Sequence, residues 1–268
     1  MSDLSLSTPL LYISRNMVTC RLGKLKTMQL SNNKILITGG ASGIGLGLAE
    51  RFIKENNTVI ICGRRMEALR EAADKVPGLI TYQCDLSVEA GRVALRDWVA
   101  KNHSDLNVLV NNAGIQHWGH VSDEGFFDKA NQEVAINILA PLQLVELFLR
   151  LPSLKTIMNV TSGLAFVPFS KVGVYSATKA FFRSFTLSLR HQLKDRGIEV
   201  IEIIPPALNT DLGGPGLHDS APPVSDFIAS IFEQLKNGSN ELSFGTSSDR
   251  ARVNNEAIAE YFSRLNPS

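Results

Sequence analysis

The chain of 268 residues has little of what marks a secreted, membrane-bound or nucleic-acid-binding protein. It holds three cysteines, Cys20, Cys62 and Cys84, an odd number without metal-ligand spacing, which speaks against a disulfide framework and against a zinc site. A reducing, cytoplasmic compartment fits that usage. Lys plus Arg number 27 against 26 Asp plus Glu, so a formal charge of +1 leaves no basic footprint for nucleic acid or anionic lipid. No uninterrupted apolar run approaches the roughly 18 residues that a membrane span requires. There is no low-complexity linker and no repeat of solenoid period, so one domain is expected.

Acids are scarce at the start. Residues 1–31 contain Asp3 alone, among Ser5, Ser7, Thr8, Pro9 and Ser14 and the basic Arg15, Arg21, Lys24 and Lys26. Leu10–Ile13 is too short for a secretory core, and no small-residue cleavage site follows it. The stretch suits a transit peptide, a disordered tail, or translation that begins at Met28. A disordered or non-native extension is expected over 1–31, with a single domain over 32–268 that folds from near Asn33.

What is present is alternation. Apolar runs at Lys34–Thr38, Thr58–Cys62, Leu79–Cys84, Asn107–Asn111, Leu154–Thr161, Ile198–Ile204 and Glu241–Phe244 read as strands. Helical patterns lie between them at Ile44–Asn56, Met66–Val76, Val88–His103, Phe126–Leu151, Tyr175–Arg196 and Val224–Lys236. The strands are near-continuous apolar, as when both faces are covered. This predicts an α/β fold, a Rossmann-like doubly wound parallel sheet of about seven strands with helices on both faces. Ligands in such folds bind at the carboxyl ends of the strands.

The first strand runs into Gly39-Gly40-Ala41-Ser42-Gly43-Ile44-Gly45 and then a helix. Glycines there let backbone approach a pyrophosphate, and the helix start offers free N–H groups. A tight turn that needs glycine for packing is the plainer account of the same residues. After the second strand, Gly63 stands where an acid would meet a ribose 2′-hydroxyl, and Arg64 and Arg65 follow, suited to a 2′-phosphate. NADP(H) is therefore the expected cofactor, with NAD possible. Asp85, after the third strand, serves either a ligand or a helix N-cap.

Tyr175 and Lys179 stand at i,i+4 on one helix face. An adjacent ammonium favours the phenolate, which makes such a pair usable for proton transfer. Pro141 has no N–H for the carbonyl four residues back, which is that of Asn137. That freed oxygen could hold a water linking Lys179 to solvent; a plain proline kink, with Asn137 capping or solvated, is the alternative.

With Asn111-Asn112-Ala113-Gly114, Thr38–Gly45, Asn137, Ser162, Tyr175 and Lys179 in this order, the chain resembles the short-chain dehydrogenase/reductase family, compact single-domain type, over residues 33 to about 245. Ile204–Leu212 and the closing Glu241–Asn266 look like one bacterial subgroup, the oxidoreductases associated with teichoic-acid D-alanylation. The resemblance implies that Tyr175 is the general acid/base, that Ser162 orients the substrate oxygen, and that Lys179 and Asn137 complete the catalytic set. It implies cofactor contacts from Thr38, Gly39, Ser42, Gly43, Ile44, Gly45, Arg64, Arg65, Asp85, Leu86, Asn112, Ala113, Gly114, Tyr175, Lys179, Pro205 and Thr210, with Pro206 where a glycine is usual. It also implies a homodimer through the helices around 126–151 and 175–196.

Two stretches face the substrate. Gly163–Phe169 is mostly apolar, and Pro205 to Pro223 is rich in Gly and Pro, as lids often are. Leu208, Leu212 and Leu217 are the lid's apolar residues. His117 and His120 bracket Trp118 without a third metal ligand, and they and His218 read as pocket lining or surface. The expected activity is NADP(H)-dependent hydride transfer on a carbonyl or secondary alcohol of an apolar small molecule. The alternatives are an isomerase, epimerase or dehydratase on the same cofactor, or a non-catalytic cofactor-binding regulator.

Overall fold

The computed structural model describes residues 28–254 and 256–267. Of the extension expected over 1–31, residues 1–27 lie outside the described residues. Residues 28–31 do not stand apart: Met28 and Leu30 pack against the core. The Met28 N–H donates to Glu199 Oε2 at 2.8 Å, and Asn57 Nδ2 donates to the Leu30 carbonyl at 2.7 Å. Ordered packing thus reaches back past the boundary expected at Asn33.

Among the described residues, seven parallel strands form one sheet: β1 Lys34–Thr38, β2 Thr58–Gly63, β3 Ile80–Gln83, β4 Val108–Asn111, β5 Thr156–Val160, β6 Glu199–Ile204 and β7 Glu241–Ser243. Their order is β3-β2-β1-β4-β5-β6-β7. The chain winds one way from β1 to β3 and the other way from β4 to β7, so a crevice opens at the carboxyl ends of β1 and β4. Alternation along each strand feeds two cores. Ile35 and Ile37 face a layer of α1 Gly43–Lys54, α2 Met66–Lys75 and α7 Val224–Lys236, where Phe52, Phe227 and Phe232 are fully buried. Leu36 faces the other, built on α3 Glu89–Asn102, α5 Ala140–Phe148 and α6 Gly173–Leu193, with Phe148 at its centre.

The helix expected over Phe126–Leu151 is interrupted. α4 spans Phe126–Val134, a π turn follows at Ala135–Leu139, and α5 begins at Ala140. The Ala140 N–H reaches back five residues to the Ala135 carbonyl. Pro141, with no N–H to give, stands at the head of α5, and the turn widens there. Asn137 is the middle residue of that turn. Two short helices, α8 Thr246–Arg250 and α9 Ile258–Leu265, follow β7 and did not stand out in the sequence. Among the described residues, no helix is long and apolar enough to cross a membrane.

Candidate active site

The glycine-rich turn is braced from β4. Thr38 Oγ1 donates to the Val110 carbonyl and accepts the N–H groups of Asn112 and Ala113 at 2.9 and 3.0 Å. Asn112 Nδ2 returns bonds to the carbonyls of Thr38 and Gly39. A Cβ on Gly45 would stand 2.3 Å from the Gly39 oxygen and 2.5 Å from Asn112 Nδ2, so this glycine is required by close approach of the two turns. Thr38, Asn112 and Gly45 therefore shape the floor of the site. Ser42 differs. It is the N-cap of α1, is exposed, and makes no side-chain capping bond, which leaves the first N–H groups of the helix open. Ile44 packs into the core beside it.

Further along the edge, Arg64 lines a cavity of about 330 Å³ together with Ser87, Ile115 and Ile136. Arg64 and Arg65 are exposed and enter no ion pair among the described residues. Arg65 is the N-cap of α2. Asp85 Oδ1 accepts the Ser87 N–H at 2.8 Å. Burial opposes ionisation of Asp85, but the Ser87 bonds and the charge of Arg64 hold it below the usual carboxylate range. The Leu86 side chain is buried in the second core, and its carbonyl accepts from Arg92 Nη1.

At the π turn the Asn137 carboxamide is committed. Nδ2 donates to the Ile115 carbonyl at 2.9 Å and to Thr178 Oγ1 at 3.1 Å, while Oδ1 accepts the Ile115 N–H at 2.9 Å. Thr178 Oγ1 donates onward to the Tyr175 carbonyl at 2.7 Å. A Cβ on Gly114 would lie 3.4 Å from Asn137 Oδ1 and 3.6 Å from Lys179 Nζ, so Asn137, Lys179 and Gly114 converge.

Ser162, Tyr175 and Lys179 are all buried, at 7%, 6% and 4% exposure. Lys179 Nζ donates to the Val160 carbonyl at 2.9 Å and lies 5.5 Å from the centroid of the Tyr175 ring. Burial pushes the ammonium down to about 8. It pushes the Tyr175 phenol well up; the Ser162 hydroxyl pulls it down, and the Glu133 charge adds to the rise. Burial thus works against the lowering of the phenol expected beside Lys179. Thr161, the neighbour of Ser162, donates to the fully buried Glu202 at 2.7 Å. Glu202 pairs with Arg183, whose guanidinium lies 4.3 Å from the Phe166 ring centre. Ser162 is left to face Tyr175.

Pro205 is buried and its carbonyl accepts the Gly163 N–H at 3.0 Å. The Thr210 methyl is 3.3 Å from where a Cβ would stand on Gly43, which brings the long loop over the glycine-rich turn. Leu208 is not a lid contact: it is buried in the first core, while Leu217 is exposed.

Sequence reasoning missed several groups. Asn111 Nδ2 donates to Asn159 Oδ1 and Asn159 Nδ2 to Thr186 Oγ1, each at 2.9 Å, a buried chain from β4 through β5 to α6. Asn159 sat inside an apolar run that gave it no mark. Glu133 is 1% exposed; Oε1 accepts the His117 N–H, and burial drives its carboxyl up to about 7. Its spacing of one helical turn before Asn137 was the available signal.

A family model described as short chain dehydrogenase matches residues 33–219. The chain is 42% identical over 227 residues to a Bacillus subtilis (strain 168) protein named uncharacterized oxidoreductase DltE, covering 80% of this chain and 89% of that one. It is 34% identical over 182 residues to the NADP-dependent 3-hydroxy acid dehydrogenase YdfG of Shigella flexneri, covering 64% of this chain and 71% of that one. A solved short chain dehydrogenase from Burkholderia cenocepacia J2315, in complex with NADP, aligns at TM-score 0.76 over 88% of this chain and 99% of its own, at 24% identity, a likeness of fold.

Proposed function

The chain belongs to the short-chain dehydrogenase family and resembles DltE within it, and we propose that it is a cytoplasmic NADP(H)-dependent oxidoreductase acting on a carbonyl or secondary alcohol. The observation that carries this is the burial of Ser162, Tyr175, Lys179 and Asn137 around one point at the carboxyl ends of β4 and β5.

The residues present fit a dinucleotide. The open start of α1 behind Ser42 suits a pyrophosphate, and Arg64 in its cavity, with Arg65 beside it, suits a 2′-phosphate. Gly63 offers no carboxylate to repel that phosphate. YdfG, by its name, uses NADP. When bound, the nicotinamide supplies the hydride that goes to the carbonyl carbon. Ser162 donates to the substrate oxygen and steadies its growing charge. Tyr175 gives that oxygen its proton, and in the reverse direction takes it back. Lys179, with Asn137 next to it, reloads the phenol. A proton donor suits a neutral phenol, which burial favours here. The mostly apolar stretch Gly163–Phe169, which lies between Ser162 and Tyr175 in the chain, favours an apolar carbonyl compound.

A homodimer on α4, α5 and α6 accords with the exposed Leu139, Phe181 and Leu187 on these elements and the π turn between them. Sedimentation velocity reads that state. The activity is tested by following NADPH absorbance against a panel of ketones and aldehydes. Steady consumption with matching alcohol formation is expected, and nucleotide binding without turnover on any class of carbonyl compound would overturn the reading.

A further inference from the structure

The chain beyond β7 has no part in the proposed chemistry, yet it returns to the stretch that joins Ser162 to Tyr175. α8 is seated by Ser247, which is fully buried. Its hydroxyl donates at 2.5 Å to the carbonyl of Ile204, the last residue of β6, and accepts the Phe244 N–H at 3.1 Å. A Cβ on Gly163 would stand 3.1 Å from the Ser247 Cβ and 3.5 Å from Arg250 Cδ, so α8 lies directly on the residue after Ser162.

α9 reaches the other end of the same stretch. Asn266 is its C-cap. Asn266 Nδ2 donates to the Pro168 carbonyl at 3.1 Å, and Oδ1 accepts the Ser170 N–H at 2.6 Å. One carboxamide thus brackets Phe169 as a neighbouring strand would, because an amide both donates and accepts. Phe169 is held from other sides too. Its N–H donates at 3.2 Å to the hydroxyl of Ser176, the residue after Tyr175, and its ring meets Trp118 edge-on at 5.6 Å. Pro168 and Ser170 are exposed, so without Asn266 their backbone groups would turn to water rather than be stranded. The tie therefore bears on where Phe169 stands more than on whether the chain folds.

We infer that Asn266 is a positioning residue for the substrate: through Pro168 and Ser170 it holds the stretch between Ser162 and Tyr175 in its binding conformation, so that α9 sets affinity for the carbonyl compound and takes no part in hydride or proton transfer. A wall that is in place beforehand spares the ligand the cost of ordering it. With the tie cut, only a fraction of the molecules carry the wall in place at any moment, and apparent affinity falls by that fraction. Once substrate is bound the wall is the same, and so is the chemical step. The effect belongs in KM and not in kcat.

The inference rests on the carbonyl reductase reading, and the test separates the two. The probes are acetophenone, cyclohexanone and butanone with NADPH, and the variants are Asn266→Ala and Ser170→Pro in the full chain. Ser170 opens a short 3-10 turn, Ser170–Val172, and Phe169 before it is extended, a place where proline fits. Ser170→Pro thus deletes the N–H that Asn266 accepts and leaves α9 and its cap untouched. Each variant is expected to raise KM for the ketones about three- to tenfold, with kcat and the NADPH dissociation constant nearly unchanged. The double variant should go no further than Asn266→Ala alone, since both cut the same tie. A merely structural role would lower kcat through loss of folded enzyme and leave KM where it was. That result, an unchanged KM, or KM increases that multiply in the double variant overturns the inference. Should none of the ketones be turned over, the reductase reading fails for them, and amide hydrogen exchange still decides the tie. Exchange across 164–172 should quicken in Asn266→Ala while that of 112–116 stays as in the parent, and equal exchange in the two proteins sinks it.

Discussion

The Asn137 carboxamide meets the Ile115 peptide in both directions, its Oδ1 accepting the N–H and its Nδ2 donating to the carbonyl, each at 2.9 Å. Removing it leaves two backbone groups of a part-buried segment without partners. Asn137→Ala is therefore expected to lower unfolding free energy by about 2–4 kcal/mol, measured by urea denaturation, beyond any loss of activity. A variant as stable as the parent would show that Ile115 is held by something else.

Tyr175→Phe removes the proton donor and little else, since the ring stays buried. Turnover should fall roughly a hundred- to ten-thousand-fold while the NADPH dissociation constant, read by fluorescence titration, shifts less than about threefold. Turnover that survives this change would mean the proton comes from another group.

Arg64 and Arg65 are exposed on the proposed 2′-phosphate side. Arg64→Ala with Arg65→Ala should weaken NADPH by about one to two orders of magnitude and leave NADH nearly as before. Calorimetric titration with both nucleotides checks this, and parallel losses would remove the basis for NADP preference.

Glu133 makes stability depend on pH in a stated direction. Its folded pKa of about 7 lies above the ordinary value of 4.5, so between those limits the native state keeps a proton that the unfolded chain has released. Stability from this group is then present at low pH and falls as pH rises through 4.5 to 7. Glu133→Gln lacks that slope. The gap between variant and parent should therefore widen from about pH 5 to about pH 7, by roughly 2 kcal/mol. Urea melts at the two pH values measure it, and a constant gap would place the carboxyl in water.

The sheet was legible because its strands are apolar on both faces and its turns are marked by glycine, as at Gly39–Gly45 and Asn111–Gly114. Tyr175, Lys179 and Ser162 were legible by spacing and order, and the structure brings them together with Asn137. Two details were not. Pro141 pointed to the Asn137 carbonyl, yet the described hydrogen bonds run through the Asn137 side chain to Ile115, a partner 22 positions away that no local pattern indicates. The effect of Lys179 on Tyr175 was read from adjacency alone, and adjacency says nothing of how fully both groups leave water. Glu133 was passed over for a related reason: a polar residue declares itself in sequence by type, but its burial appears only in three dimensions.

The buried chain Asn111–Asn159–Thr186 also bears on how the molecule assembles. β4 and β5 pair with Asn111 opposite Asn159. Beside it in the central strands, as at Ile35–Val108 and Leu109–Ile157, one aliphatic side chain faces another, and a shift between them costs little in chemistry. Here a slip of one residue would turn Asn159 to the other face and set Met158 or Val160 against a stranded amide. Because Asn159 also holds Thr186, the same lock sets the rotation of α6 about its own axis. The same hydrogen bonds thus hold Tyr175 in line with Ser162 in the folded chain, with no substrate needed to set it.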